Sequence, residues 1–317
     1  MMKLTTADTA RYLLERSNFL ILTHRRPDGD TIGSAAALCR GLRSLGKTAF
    51  VLENPEITPK YRFLFDGLIK ASAEETDTLV AVDVASVGML PQSFSHLVGS
   101  IDLRIDHHGT AESFTEQELV EPAAAACGQI VYDILTEMGV ALDVPTANAL
   151  YVAISTDTGC FRYANTQPHT FSVAAACAAV SPDLYSLNQL LFETNSLARL
   201  RIQGWMVENA KFFSGGKICV CALPLEVEKE IGVTEDDMEN ISGVPRSIEG
   251  VKIAATLRQE KDSGKVKLSV RAVPGYDAGA ICAKFGGGGH KGAAGASLNM
   301  SLEDATAAVI AAMPVLE

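Results

Sequence analysis

The chain has 317 residues, of which 47% are hydrophobic and 21% are charged, and this composition predicts a globular protein of two domains. A formal net charge of −11 argues against a protein that binds long nucleic acid, because such proteins need a basic surface. We expect a reduced, cytoplasmic protein, because the N-terminus lacks signal-peptide features, no segment has the roughly 20 apolar residues that span a bilayer, and the seven cysteines include no CxxC pair.

Apolar runs of strand length alternate with helical segments in the first half of the chain. The predicted strands are 19–23, 48–53, 78–84 and 101–106. Residues 31–47 are predicted as a helix that ends near Gly46 and Lys47, and residues 145–159 as a helix that ends near Gly159. Strands that alternate with helices indicate βαβ units, so we expect an α/β domain with a parallel sheet.

The second half begins with a helical pattern over about 185–213, and the glycines of 214–217 indicate a break. Strands are predicted at 218–224, 251–259 and 265–273, followed by a helix at 277–285. These features predict a first domain over 1–190, a helical linker over 191–215 and a smaller α+β domain over 216–317.

Aspartate and histidine residues stand where several predicted elements end. One aspartate after a strand is usually a turn residue or a helix N-cap, as Asp30 could be, and a single histidine is usually structural. Strand ends of an open parallel sheet meet at one edge, however, so four such segments predict a single crevice. The residues are His24, Asp28, Asp30, Asp83, Asp106, His107, His108 and Asp157.

The crowding of these carboxylates predicts bound cations. Carboxylates held together repel each other and resist ionisation unless positive charge neutralises them. Carboxylate and imidazole donors without cysteine suit Mn²⁺, Mg²⁺, Fe²⁺ or Co²⁺ better than a structural zinc site. The donors exceed the need of one ion, and two ions that share a carboxylate could activate water and bind a phosphoryl group.

Four ordered segments resemble the motifs of the DHH phosphoesterase family: HRRPDGDTIGS (24–34), AVDV (81–84), IDHHG (105–109) and ISTDTGCF (154–161). Near the C-terminus, SVRA (269–272) and FGGGGHKGAAG (285–295) resemble the DHH-associated domain. Together they are similar to the oligoribonucleases that also dephosphorylate 3′-phosphoadenosine-5′-phosphate (pAp). The resemblance implies a parallel-sheet catalytic domain, a smaller α+β substrate-binding domain, and a hydrolase that degrades very short oligonucleotides to mononucleotides and converts pAp to AMP.

The same resemblance implies two divalent ions, with Mn²⁺ expected and Mg²⁺, Co²⁺ or Fe²⁺ as alternatives. One ion would be held by His24, Asp28 and Asp83. The second would be held by Asp30, Asp83, His107 and Asp157, with Asp83 shared. His108 would face the scissile phosphate, and Asp106 would orient the two histidines from behind.

The glycine run 286–289 and its neighbours are predicted to bind the substrate away from the cut bond. Consecutive glycines let backbone N–H groups approach an anion, although a flexible loop is the alternative. Position 272 is alanine where some family members carry serine. Arg258 could join the anchor or be a surface residue, and Arg25, Arg26 and Arg162 could be solvated charges. The predicted anchor consists of Arg271, Gly287, Gly288, Gly289 and His290.

Several other functions would use a similar sequence. A phosphodiesterase of cyclic or linear dinucleotides would need the same metal site. The GGGGH segment argues against a manganese pyrophosphatase, and the size and charge argue against a long-DNA exonuclease. A nucleotide sensor without catalysis is disfavoured because every expected ligand is present. Short oligonucleotides and pAp are therefore the expected partners, without long duplexes or membranes, and a homodimer is left open.

Overall fold

The computed structural model describes residues 2–75, 77–109, 112–261 and 263–316. The chain divides into two compact units, Met1–Thr194 and Asn195–Glu317. Each unit has its own sheet and its own hydrophobic core. None of the helices in the described residues is long and apolar enough to cross a membrane.

The first unit is built on a seven-stranded sheet in which all pairs are parallel. Its helices are α1 (Thr6–Leu14), α2 (Gly29–Ser44), α3 (Cys127–Glu137), α4 (Val144–Asp157), α5 (Pro168–Val180) and α6 (Leu184–Asn188). Its strands are β1 (Met2–Lys3), β2 (Asn18–Leu22), β3 (Thr48–Leu52), β4 (Ile69–Lys70), β5 (Thr78–Val82), β6 (Leu103–Asp106) and β7 (Gln117–Val120).

The strand order β1-β7-β6-β5-β2-β3-β4 places a topological switch point between β2 and β5. From β2 the chain proceeds to β3 on one side, and it later returns to β5 on the other side. Crevices that bind ligands in open α/β sheets form at the carboxyl ends of strands at such a point. The predicted fold class is confirmed, and the four predicted strands correspond to β2, β3, β5 and β6.

The strands of this sheet are apolar on both faces because both faces are covered. Phe19 and Ile21 of β2 belong to the core under the α-helices, whereas Leu20 and Leu22 pack against the 3₁₀ helix Gln92–Ser100 and its surroundings. Alternate residues of a strand point to opposite faces, so a fully buried strand reads as a continuous apolar run. The strands that sequence analysis missed, β1, β4 and β7, have only two to four residues.

Close packing of α2 against α4 depends on glycine. A Cβ atom at Gly29 would lie 2.4 Å from Thr156 Oγ1, and one at Gly33 would lie 2.3 Å from the Ala149 carbonyl oxygen. A side chain at either position would push the two helices apart. The predicted end of α2 is confirmed, since Gly46 has a φ of 77°, the conformation that commonly ends helices.

The second unit is a six-stranded mixed sheet of order β12-β13-β11-β10-β9-β8, in which β9 and β10 are parallel and the other pairs antiparallel. Its helices are α7 (Leu197–Glu208), α8 (Leu225–Ile231), α9 (Ala278–Ala283) and α10 (Leu302–Ala312). Its strands are β8 (Lys211–Phe213), β9 (Ile218–Leu223), β10 (Ile253–Gln259), β11 (Val266–Ala272), β12 (Gly288–Gly289) and β13 (Ala293–Leu298).

The segment predicted to be helical up to residue 213 is only partly helical. Residues 211–213 form β8, an edge strand that pairs antiparallel with β9, so the helical prediction is wrong there. Helix α7 is not a free connector, because Ile202 and Met206 are fully buried against β9 residues such as Cys221. The predicted strands β9, β10 and β11 and the helix α9 are present.

Candidate active site

The two strands at the switch point each contribute one side chain to the site. His24 lies two residues beyond the end of β2, and Asp83 lies one residue beyond β5. Asp83 is 2% exposed and has a φ of +58°, which is strained for a residue with a Cβ and is typical of functional positions. His24 Nε2 lies 3.5 Å from Asp83 Oδ2.

The start of α2 contributes two aspartates with different roles. Asp28 is the N-cap, since its side chain accepts hydrogen bonds from the amides of Asp30 and Thr31. The N-cap role considered for Asp30 is therefore wrong. Asp30 is 1% exposed, and it accepts bonds from the amides of Cys127 and Gly128 at 2.7 and 2.9 Å. The N-terminus of α3 thus binds and orients the Asp30 carboxylate.

Asp106 ends β6 and organises the two histidines that follow it. Its Oδ1 accepts bonds from the backbone amides of His107 and His108, at 2.9 and 3.3 Å, and from His108 Nδ1 at 2.8 Å. The His107 ring is held differently, because its Nδ1 lies 3.2 Å from the Ala124 carbonyl oxygen. The structure therefore places Asp106 where sequence analysis expected it, but the imidazole of His107 is oriented by the backbone.

Asp157 is the last residue of α4 rather than the end of a strand. It reaches the site because α4 packs closely on α2 through glycine contacts. Its Oδ2 lies 3.8 Å from His107 Nε2. After Asp157 the chain turns through three consecutive left-handed residues, Gly159, Cys160 and Phe161, with φ values of 56°, 58° and 61°.

Seven of the eight predicted residues, all except Asp106, form groups of donor atoms that suit a metal ion. Atoms of His24, Asp28 and Asp83 lie within 4.8 Å of one another, as do atoms of Asp30, His107 and Asp157. Asp83 connects the groups, since its Oδ2 faces His24 at 3.5 Å and its Oδ1 faces His107 Nε2 at 3.4 Å. A third group consists of Asp83, His107 and His108.

The positions of the donor atoms suit the binding of divalent cations better than hydrogen bonding among the side chains themselves. Asp83 Oδ1 is buried and accepts no hydrogen bond within the described part of the chain. His24 and His107 both direct Nδ1 to a backbone carbonyl, which leaves Nε2 facing the carboxylates, as in many metal-binding histidines. The Nε2–carboxylate distances of 3.4–3.8 Å exceed those of good hydrogen bonds.

The pKa values of these groups reflect the electrostatic cost of burying several carboxylates close together. Burial raises the pKa of Asp30, and the charge of Asp83 raises it further. Burial likewise raises the pKa of Asp157 to about 7. Burial alone would lower the pKa of His107, but the adjacent carboxylates of Asp83, Asp30 and Asp157 outweigh it and raise the value to about 11. Protons thus supply the neutralising charge that cations could supply instead.

Several residues that support the site were not found from the sequence. Thr31 Oγ1 donates to the Val82 carbonyl oxygen at 3.0 Å and so connects α2 to β5. Asn54 Nδ2 donates to Thr23 Oγ1 and to the His24 carbonyl oxygen, each at 3.0 Å. Polar residues of these types are common, and nothing in their local sequence pattern distinguishes them from turn residues.

In the second unit, the predicted anchor residues meet at one corner of the sheet. The GGGGH segment is a hairpin, because His290 and Ala293 exchange backbone hydrogen bonds at 2.8 and 3.2 Å across a two-residue turn. Ala293 pairs with Arg271 of β11. Arg271 is half-buried, on the face of β11 opposite to Ala272, which packs in the core. Serine at position 272 would therefore face the core rather than Arg271.

Two glycines of this hairpin, Gly287 and Gly289, are required by packing. A Cβ at Gly287 would lie 2.2 Å from the Gly295 carbonyl oxygen, and one at Gly289, where φ is 140°, would lie 2.7 Å from the Ala293 carbonyl oxygen. Gly288 is exposed with open space beside it. The alternative of a flexible loop is therefore wrong, since β12 is a paired strand.

The other arginines considered from the sequence differ in their surroundings. Arg258 donates to both oxygens of Glu228, at 2.6 and 2.9 Å, and to Glu235. Because the Glu228 side chain is fully buried, Arg258 compensates an internal charge and does not belong to the anchor. Arg25, Arg26 and Arg162 are exposed.

Comparison with known proteins agrees with the motifs. The N-terminal domain of the DHH family matches residues 18–154, and the DHHA1 domain matches residues 215–313. The chain is 35% identical over 303 residues to the bifunctional oligoribonuclease and PAP phosphatase NrnA of Thermus thermophilus, with 92% of this chain and 88% of that protein covered. The chain belongs to the DHH family. It is therefore a phosphoesterase, as the motifs predict.

Solved structures share the fold. An exopolyphosphatase-related protein of Bacteroides fragilis superimposes with a TM-score of 0.82 at 24% identity, covering 97% of this chain and 95% of that one. RecJ of Thermus thermophilus in complex with Mn²⁺ gives a TM-score of 0.57 at 15% identity, covering 97% of this chain and 53% of RecJ. At these identities the likeness concerns the fold alone.

Proposed function

We propose that this protein degrades very short oligonucleotides to mononucleotides and dephosphorylates pAp to AMP, with two divalent ions. The observation that carries the proposal is the pair of donor groups that meet at Asp83. The activities named for the Thermus relative support this substrate class, and the carboxylate and imidazole donors support Mn²⁺ as the metal.

In this proposal His24, Asp28 and Asp83 hold one ion, while Asp30, Asp83, His107 and Asp157 hold the other. When bound, such ions lower the pKa of water and neutralise phosphate charge. The protein groups fix the donors: the amides of α3 hold Asp30, and the Ala124 carbonyl orients His107. Asp83 presents one oxygen to each side, with Oδ2 toward His24 and Oδ1 toward His107.

We assign His108 to the phosphate and not to a metal. Its Nδ1 approaches Asp83 Oδ1 at 3.6 Å but lies only 2.8 Å from Asp106 Oδ1. With Nδ1 donating to Asp106, Nε2 is the ring nitrogen left to contact the substrate. Burial lowers the pKa of His108, but the hydrogen bond to Asp106 and the charge of Asp83 outweigh it and raise the pKa. A protonated ring can donate its Nε2–H to a phosphoryl oxygen, and Asp106 acts as a positioning residue.

We propose that the second unit binds nucleotide through Arg271, Gly287, Gly288, Gly289 and His290. An arginine fork suits a phosphate that is not cleaved, and exposed backbone N–H groups beside Gly288 suit the same anion. The net charge of −11 favours small substrates over long duplexes. The seven free cysteines agree with a cytoplasmic location, and a homodimer stays a prediction.

A substrate panel in the presence of Mn²⁺ tests the proposed function. We expect hydrolysis of pAp and of RNA two to five nucleotides long, little action on pyrophosphate or long duplexes, and loss of activity with a chelator. The expectation rests on the two donor groups and on the anchor in the second unit. Product analysis by ion-exchange chromatography measures each reaction. Cleavage of cyclic dinucleotides without action on pAp would favour the alternative phosphodiesterase, and full turnover in metal-free protein would refute the metal site.

The two adjacent histidines should fail in different ways. His107→Ala removes a donor of the second ion, so metal analysis of the purified variant should find that ion depleted. His108→Ala should retain both ions and lower kcat on pAp by about 10²–10³, the usual cost of removing one preorganised donor. If His108→Ala loses an ion while His107→Ala keeps both, the two assignments are reversed.

Arg271→Ala should weaken nucleotide binding without changing metal content. A hydrogen bond to a charged group contributes about 1.5–3 kcal/mol, so the KM for pAp should rise by about 10- to 100-fold. Bis-p-nitrophenyl phosphate, which has no nucleotide, should be affected less. Lys267→Ala is the matched control, because Lys267 lies on the same face of β11. Equal losses on both substrates, or the same effect from Lys267→Ala, would contradict the anchor.

A further inference from the structure

The segment that follows Asp157 returns to the site and brings Asn165 against it. The turn at 159–161 consists of three consecutive left-handed residues. Left-handed backbone is unfavourable for a residue with a Cβ, and local hydrogen bonds hold the turn. Cys160 N donates to the Ser155 carbonyl oxygen at 2.6 Å, and the amides of Arg162 and Tyr163 donate to the Thr158 carbonyl oxygen at 3.0 Å.

Asn165 holds Asp157 and a second segment at the same time. Its Nδ2 lies 2.9 Å from the Ala125 carbonyl oxygen, 3.2 Å from the Asp157 carbonyl oxygen and 3.4 Å from Asp157 Oδ2. Three acceptors surround this atom, which identifies it as the amide nitrogen. Two N–H groups serve three acceptors, so the contact with Oδ2 is the weakest of the three.

The segment that Asn165 holds, Ala124–Gly128, positions the other donors of the second ion. The Ala124 carbonyl oxygen receives Nδ1 of His107. The amides of Cys127 and Gly128 donate to Asp30. One side chain therefore connects Asp157 to the backbone that orients both His107 and Asp30.

We propose that Asn165 is a positioning residue for the second metal ion, acting through Asp157 and through the segment Ala124–Gly128. The inference rests on the proposed two-ion function. An ionised Asp157 that binds a cation needs a fixed rotamer, and the donor at Asn165 Nδ2, which contacts both the Asp157 carbonyl oxygen and Oδ2, restricts it. Residues that orient metal ligands in this way commonly affect metal affinity by 10- to 100-fold.

The chain offers a matched control on the same segment. Gln167 Nε2 donates to the Ala123 carbonyl oxygen at 2.8 Å, next to the segment held by Asn165. Gln167 therefore connects the same two stretches of chain through the same kind of bond, but its hydrogen bonds do not involve Asp157. Comparing the two amides separates the positioning of Asp157 from a general loosening of residues 123–128.

The test is titration of the metal-free full chain with Mn²⁺, monitored by calorimetry and by electron paramagnetic resonance. Asn165→Ala should weaken the second Mn²⁺ by about 10- to 100-fold and leave the first unchanged. The signal of a spin-coupled Mn²⁺ pair should give way to that of a single ion. Gln167→Ala should retain wild-type affinities. Asn165→Leu, which has the same number of side-chain heavy atoms but no donors, should behave like Asn165→Ala and excludes an empty cavity as the cause.

Two results would overturn the inference while the proposed function stands. In the first, Asn165→Ala and Asn165→Leu bind both ions as the wild type does. In the second, Gln167→Ala weakens the second ion as much as Asn165→Ala does. A wild-type protein that binds a single Mn²⁺ would instead overturn the two-ion site itself, and the inference with it.

Discussion

The mutual repulsion of carboxylates around Asp83 is the constraint on which the site depends. Asp30, Asp83 and Asp106 are at most 2% exposed, and Asp28 and Asp157 stand beside them. Buried like charges cannot all ionise without compensation. The raised pKa values of Asp30, Asp157 and His107 agree with this requirement. Divalent cations would provide this compensating charge and could also take part in the reaction. The donor atoms lie close enough together to bind such cations.

The fold meets this constraint by separate means at each position. The switch point of the parallel sheet brings His24 and Asp83 to neighbouring strand ends. Glycine contacts between α2 and α4 bring Asp157 from a helix to the same edge. The N-terminus of α3 supplies amides to Asp30. The backbone is left-handed, and therefore strained, at Asp83 and in the turn after Asp157. At Asp83 the strained residue carries a carboxylate of the site, and after Asp157 the strained residues turn the chain.

Much of the site could be predicted from the sequence because the strand ends have a recognisable pattern. The apolar runs before His24, Asp83 and Asp106 mark strands, and parallel topology then makes their ends converge. Contacts made by the backbone could not be predicted: the Ala124 carbonyl that orients His107 belongs to a run of alanines. Asn165 escaped notice for a related reason, since its partner segment lies about 40 residues away. The sequence predicts that the glycine run binds an anion. Its packing role could not be predicted, because that role depends on the neighbouring strand β13.

Anomalous diffraction from crystals grown with Mn²⁺ tests the central claim, that Asp83 is shared by two ions. We expect two peaks roughly 3.5–4 Å apart, with one oxygen of Asp83 directed to each. His24 and Asp28 should contact the first peak, and Asp30, His107 and Asp157 the second. A single peak under saturating Mn²⁺, or two peaks of which only one contacts Asp83, would contradict the account.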